Sequence, residues 1–263
     1  MSLAIAAAAA EHEVVAIVGR SFDSAERGAG IVGARPLTIN DPIPESDLML
    51  VATRDAAIEP VAARLARNRV PVPAAVHLSG LTPVAALDPL AEQGIEIGSF
   101  HPLQTLPTPE AGSARLAGSF IAITAGPGLQ DTLEAFADSL GATPFSLDDD
   151  AKPLYHAAAA AAANFPLAAF AMAADLFREA GVSWDVARPL VEAVVANAFE
   201  LGPRAALTGP VARGDAGTVA AQLEAVASAS PEWQVAFARF VELLALLTGR
   251  SDQFAGVLNK EDQ

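Results

Sequence analysis

"MSLAIAAAAAEHEVVAIVGRS", residues 1–21, reads as the second half of a unit whose first half is missing. Ser2 to Ala10 are Ala-rich and favour helix, and Val14–Val18 form a short β-branched run that stops at Gly19-Arg20-Ser21. Helix then strand is the tail of a βαβ crossover, and the strand that opens such a unit is not among these residues. A secretory signal also begins with small apolar residues, but it needs a basic segment ahead of them. Met1 to Ala10 has neither Lys nor Arg, and Glu11 and Glu13 follow, so the crossover reading stands.

From Val14 to Leu147 the same alternation continues, the pattern of a mostly parallel sheet covered on both faces. The predicted strands are Val14–Val18, Leu37–Ile39, Leu48–Ala52, Ala74–Leu78, Ile95–Ser99, Phe120–Thr124 and Pro144–Leu147. Helices are predicted over Ala56–Arg67 and Gly128–Leu140, with Gly141 closing the second. After Asp148-Asp149-Asp150 the β-branched runs cease. Helices are predicted near Lys152–Ala180, Ser183–Leu201, Thr218–Ala227 and Pro231–Leu247, the last with Ser230 as N-cap and Gly249 beyond its end. The expected organisation is a sheet domain over residues 1–147 and an all-α domain over 148–263.

An apolar content of 52% in 263 residues is ample for a packed core. No cysteine is present, which removes disulfides and thiolate metal sites and suits a cytoplasmic protein. A net charge of −15, with no Lys/Arg cluster, works against binding nucleic acid or an anionic membrane. Pro153 to Ala174 is uncharged and long enough to span a bilayer, but it is mostly Ala and contains His156, Asn164 and Pro166, so a buried helix is expected there.

Ligands of an open parallel sheet bind outside the carboxyl ends of its strands. The residues that follow the predicted strands are Gly19-Arg20-Ser21, Thr53-Arg54-Asp55, Ser79-Gly80 and Ser99-Phe100-His101-Pro102, polar in every case. In a dinucleotide site the end of the second strand meets the ribose 2′ position. Arg20 with Ser21 beside it suits the 2′-phosphate of NADP, where NAD would ask for an acidic residue. The pyrophosphate needs a strand followed by a G-x-G-x-x-G turn, which the opening residues do not supply.

"KPLYHAAAAAAANF", residues 152–165, is the second informative stretch. The chain has fourteen Arg and only two Lys, Lys152 and Lys260. A lysine ammonium with an adjustable pKa suits proton donation to a reacting carbonyl, a role Arg does not fill. His156 lies four residues on, on the same helix face, and Asn164 is rotated from it by about 80°. Against this stands a lysine that merely neutralises Asp148–Asp150 at a helix start. A third stretch, "ALTGPVARGD" (206–215), reads as a structured turn facing the active cleft.

Gly98 to Gln104, Lys152 with Tyr155-His156-Ala157-Ala158, and Ala206 to Asp215 together resemble the Rossmann-like proteins that carry domain of unknown function 2520. That family is similar to the 6-phosphogluconate dehydrogenase, ketopantoate reductase and pyrroline-5-carboxylate reductase superfamily. The resemblance implies a Rossmann-like parallel sheet domain lacking its usual first strand, followed by a helical domain that serves substrate binding and dimerisation. It implies an oxidoreductase that uses NADP or NAD on a small substrate, and with Arg20 and Ser21 the expectation is an NADP-dependent oxidoreductase acting on a small carbonyl or imine. The superfamily's lysine-x-x-x-asparagine helix motif falls on Lys152 and His156, with histidine where asparagine would stand.

The expected catalytic residues are therefore Lys152, His156, Asn164 and His101, and the expected cofactor-binding residues Gly19, Arg20, Ser21, Thr53, Ser79 and Gly80. No metal site is expected. NADP binding is expected to be weak without the glycine turn, and a start codon assigned too late or a degenerate cofactor site would both produce that gap. A homodimer through the C-terminal helices is expected. The alternative is a non-catalytic nucleotide-sensing or structural protein that retains the dehydrogenase fold.

Overall fold

The computed structural model describes residues 1–258. In chain order the elements are α1 (Ser2–Ala9), β1 (Ala16–Gly19), α2 (Phe22–Val32), β2 (Arg35–Thr38), β3 (Met49–Val51), α3 (Ile58–Arg67), β4 (Ala74–His77), α4 (Asp88–Ala91), β5 (Glu96–Pro102), α5 (Pro109–Ala114), β6 (Phe120–Ala125), α6 (Pro127–Ser139) and β7 (Thr143–Ser146). Helices alone follow among the described residues: α7 (Lys152–Glu179), α8 (Arg188–Leu201), α9 (Gly209–Arg213), α10 (Ala216–Ala229), α11 (Gln234–Leu247) and α12 (Ser251–Leu258). Two compact units divide the chain, Met1–Ala163 and Asn164–Gln263. Strands end at Ser146, yet the first unit keeps the start of α7, for reasons given under the site below.

Within the first unit, β3-β4-β5-β6-β7 form one five-stranded sheet, parallel except for the antiparallel β5–β6 pair. Side chains alternate across it, as strand geometry requires. Val76, Phe100, Ile121 and Ile123 face one core, with Leu3 and Ala7 of α1 and Leu129 and Leu133 of α6. Ala75 and Val51 face the other, with Ile58, Ala62 and Leu65 of α3 and Leu90 of α4. A fully buried side chain such as Ile123 contributes about 1.5–3 kcal/mol relative to exposure, so these two layers carry the unit.

β1 and β2 stand apart as a separate two-stranded parallel sheet. All seven predicted strands exist, but they do not form one sheet. No strand among the described residues pairs with both β1 and β3, so the central pairing is interrupted where a first strand was expected. Helix ends follow local chemistry. Gly141, at φ +71°, closes α6 with its amide on the Asp138 carbonyl and the Ala142 amide on the Ala137 carbonyl, the paired bonds of a left-handed cap.

In the second unit, Val211, Val219, Leu223, Ala238, Val241 and Phe254 of α9–α12 make a core of their own. Arg213-Gly214-Asp215 is helix punctuation: Gly214, at φ +77°, ends α9, and Asp215 caps α10 by accepting from the Thr218 amide at 3.0 Å. Ser230 holds the N-cap position, but its buried hydroxyl has no hydrogen-bond partner among the described residues.

The uncharged run in α7 is a helix, but not a buried one. Only 6% of its most apolar window is buried among the described residues. By length and composition alone it could cross a membrane. α8 is similar: none of its residues is buried, and Phe199 is 90% exposed.

Candidate active site

β4 ends in His77, whose side chain is fully buried. Its Nδ1 accepts the amide of Ser79 at 3.2 Å, while Nε2 has no hydrogen-bond partner among the described residues. Burial, and then the nearby Lys152 ammonium, push the imidazole down to about 4. The Ser79 hydroxyl accepts the amides of Leu81 and Thr82 at 3.1 and 2.9 Å, a local turn that gives the loop after β4 its shape.

β5 carries His101 alongside this loop. A Cβ on Gly80 would lie 2.7–2.9 Å from Cε1, Nε2 and Nδ1 of the His101 ring, so only glycine lets the imidazole come this close. His101 Nδ1 shares a 2.8 Å hydrogen bond with the Tyr155 hydroxyl. The two rings meet edge-on at 5.6 Å, and the His156 ring lies 6.4 Å from that of His101. Burial first, and the His156 charge second, lower His101 to about 4, while Asp55 opposes them. Burial raises Tyr155 to about 12. At neutral pH the pair is a neutral imidazole and a neutral phenol.

Lys152 is placed differently from the expectation. Its side chain is 1% exposed, and Nζ lies 2.7 Å from Asp149 Oδ1 and donates to the Thr82 carbonyl at 3.1 Å. Burial lowers its pKa and Asp149 opposes the shift. The ammonium is thus turned inward and committed to two partners, not presented to a substrate. These bonds also tie the first turn of α7 to the sheet unit.

Ser79, Gly80, His101, Lys152 and His156 are therefore brought together. Asn164 belongs to the second compact unit. Thr53 follows β3 and spends its hydroxyl on the Arg54 carbonyl at 3.3 Å. Sequence reasoning gave Tyr155 and Thr82 no role, whereas a Lys152 paired with the Asp148–Asp150 turn was the alternative it weighed. One signal was present, since Tyr155 is the sole tyrosine and sits three residues after Lys152, on the same helix face.

Gly19, Arg20 and Ser21 form the turn from β1 into α2. A Cβ on Gly19 would come within 2.8 Å of the Ala25 amide nitrogen, and Ser21 caps α2 through the Ser24 amide at 3.4 Å. Arg20 is exposed and makes no hydrogen bond or ion pair with the described residues. A free guanidinium at a tight strand-to-helix turn fits the 2′-phosphate end of NADP. No G-x-G-x-x-G turn follows a strand among the described residues. Gly28-Ala29-Gly30-Ile31-Val32-Gly33 matches G-x-G-x-x-G as a string, but Gly28 and Gly30 lie inside α2 and Gly33, at φ +71°, ends it. The order there is helix then strand, the reverse of what phosphate binding needs.

Residues 1–102 match the family model of a Rossmann-like domain, and residues 119–242 match that of a domain of unknown function, DUF2520. No curated protein matches the chain. Among solved structures it is similar to a candidate NADP oxidoreductase from Bacteroides fragilis, with 23% identity, a TM-score of 0.77 and 93% of each chain covered. An imine reductase from Myxococcus stipitatus in complex with NADP+ aligns with 14% identity and a TM-score of 0.68, over 100% of this chain and 96% of the other. A pyrroline-5-carboxylate reductase from Coxiella burnetii aligns with 15% identity and a TM-score of 0.55, over 96% and 93%. At these identities the likeness is one of fold. The chain thus joins a Rossmann-like domain to a DUF2520 domain.

Proposed function

We propose that this protein is an NADP-dependent reductase of a small carbonyl or imine. The observation that carries this reading is the His101–Tyr155 pair, a neutral imidazole bonded to a neutral phenol at the end of a sheet strand. When bound, the nicotinamide supplies hydride to the electrophilic carbon. Tyr155 then donates its phenolic proton to the carbonyl oxygen or imine nitrogen, and His101 Nδ1 holds the hydroxyl in line. His156 lies beside the pair and orients the substrate. Proton donation passes from Lys152 to Tyr155 in this reading, because a buried, paired ammonium has no free face.

Arg20 and Ser21 would hold the 2′-phosphate, with Thr53 and Ser79 lining the path of the cofactor. The inward pairing of Lys152 favours a second reading, a nucleotide-sensing or structural protein without turnover. The test is NADPH oxidation against a panel of cyclic imines and keto acids, with Tyr155→Phe as control. Wild-type turnover that falls roughly a hundredfold in Tyr155→Phe supports the reductase, this being the usual scale for a general acid. Turnover untouched by the substitution removes Tyr155 from the role, and no turnover on any substrate supports the second reading.

The apolar helices belong to the same proposal. Leu190, Val194, Phe199 and Leu201 of α8, with Phe165 and Leu167 of α7, are all more than half exposed. A helix gains most of its stability from packing an apolar face, and these side chains stay more than half exposed among the described residues. A second copy is the proposed cover, since the uncharged run of α7 lets two chains of charge −15 meet without apposing like charges.

A further inference from the structure

The contacts around Lys152 close into a ring. Lys152 Nζ donates to the Thr82 carbonyl, the Thr82 amide donates to Ser79 Oγ, and Gly80 of that same turn fits against His101. His101 bonds Tyr155, and Tyr155 stands one helical turn from Lys152 on α7. Asp149 braces the ring from outside: both its oxygens lie 3.1 Å from the Val84 amide while one pairs with Lys152. Residues 65 and 70 positions apart in sequence are held together by two side chains.

The geometry points to Lys152 and Asp149 as positioning residues that hold the Ser79–Val84 loop against His101 and so fix the His101–Tyr155 pair. A buried ammonium costs several kcal/mol unless it is paired and hydrogen-bonded, so its burial here needs both partners in place. A compact ammonium also suits a slot between one carbonyl and one carboxylate. The wider planar guanidinium does not, which gives a reason for lysine in a chain that otherwise uses arginine. The inference rests on the proposed site but does not depend on turnover.

The test is titration of the ligand-free, full-length protein. NMR reports the His101 ring, assigned with His101→Gln, and phenolate absorbance reports Tyr155 without ambiguity, since it is the only tyrosine. The charged and titratable groups bearing on His101 are His156, Asp55 and Lys152, with Tyr155 bonded to it. Two variants are needed. Lys152→Met breaks the ring but also deletes one of those charges. Val84→Pro removes the amide N–H that donates to Asp149 and exchanges one apolar side chain for another; it changes no charge, and Pro83 already has the extended backbone (ψ 152°) that a following proline requires.

With the loop released, water reaches the pair. The His101 midpoint is expected to rise from about 4 toward 6.5, and that of Tyr155 to fall from about 12 toward 10, in both variants. The smaller shift is expected in Val84→Pro. If Lys152→Met does not fold, Val84→Pro decides alone. Wild-type midpoints for both groups in folded Val84→Pro overturn the proposal, whatever NADPH assays show.

Discussion

The imidazole of His101 occupies the space that a side chain on Gly80 would need, with its nearest atom 2.7 Å from the position of a Cβ. The consequence is a strict size limit at a residue that makes no polar contact of its own. Gly80→Ala must displace His101 and break its bond to Tyr155. The expected result is a folded protein destabilised by about 1–3 kcal/mol, as for overpacking elsewhere, with turnover reduced as far as in Tyr155→Phe. Thermal unfolding and NADPH oxidation check the two halves.

His77 sets a pH dependence of stability. Its folded pKa of about 4 lies below the ordinary 6.5, so between those values the unfolded chain binds the proton and the folded chain does not. Stability is therefore full above pH 6.5 and is lost as pH falls toward 4. The loss amounts to something on the order of 3 kcal/mol from this residue, and His101 adds in the same direction. Urea titrations at intervals across that window should show the slope, and His77→Gln should flatten it.

Arg20 should decide between the two nicotinamide cofactors. Arg20→Ala is expected to weaken NADPH binding and leave the weaker NADH binding unchanged, because only NADPH brings a 2′-phosphate to the guanidinium. Titration calorimetry with both cofactors measures this directly. A wild type that prefers NADH contradicts the assignment.

Phe199 is the sharpest probe of self-association, being the most exposed large apolar side chain. Phe199→Asp places a charge on the proposed contact and should convert a dimer into a monomer at tens of micromolar, with the secondary structure retained. Sedimentation equilibrium reads the outcome. A wild type that is already monomeric there removes the dimer.

The fold was legible because its signals are local. β1, β3, β4 and β6 are mainly apolar runs bounded by Gly, Pro or polar residues, and Gly141 marks a helix end from composition alone. What sequence could not give is pairing, which is non-local: nothing in Val14–Val18 says that β1 finds β2 and not β3. The site was half legible for the same reason. His101, Gly80 and Lys152 were singled out, yet the direction in which Lys152 points depends on Thr82, a residue remote in sequence, and Tyr155 was passed over beside it. The exposure of α7 was misread because an alanine run is equally consistent with a protein core and with an uncovered face.

The division of the sheet has a kinetic side. The β1–β2 pair has no buried residue in β1, and α2 offers it only Ala25, Gly28 and Ala29 as buried residues, which bring little apolar area. Two-stranded sheets are marginal without further support. This segment should open and reclose as a separate cooperative unit, its amides exchanging with solvent well before those of β4–β6. The arm that carries Arg20 would then spend part of its time unfolded while the His101–Tyr155 pair stays ordered, and a nucleotide that engages Arg20 would slow amide exchange in β1 and β2 first.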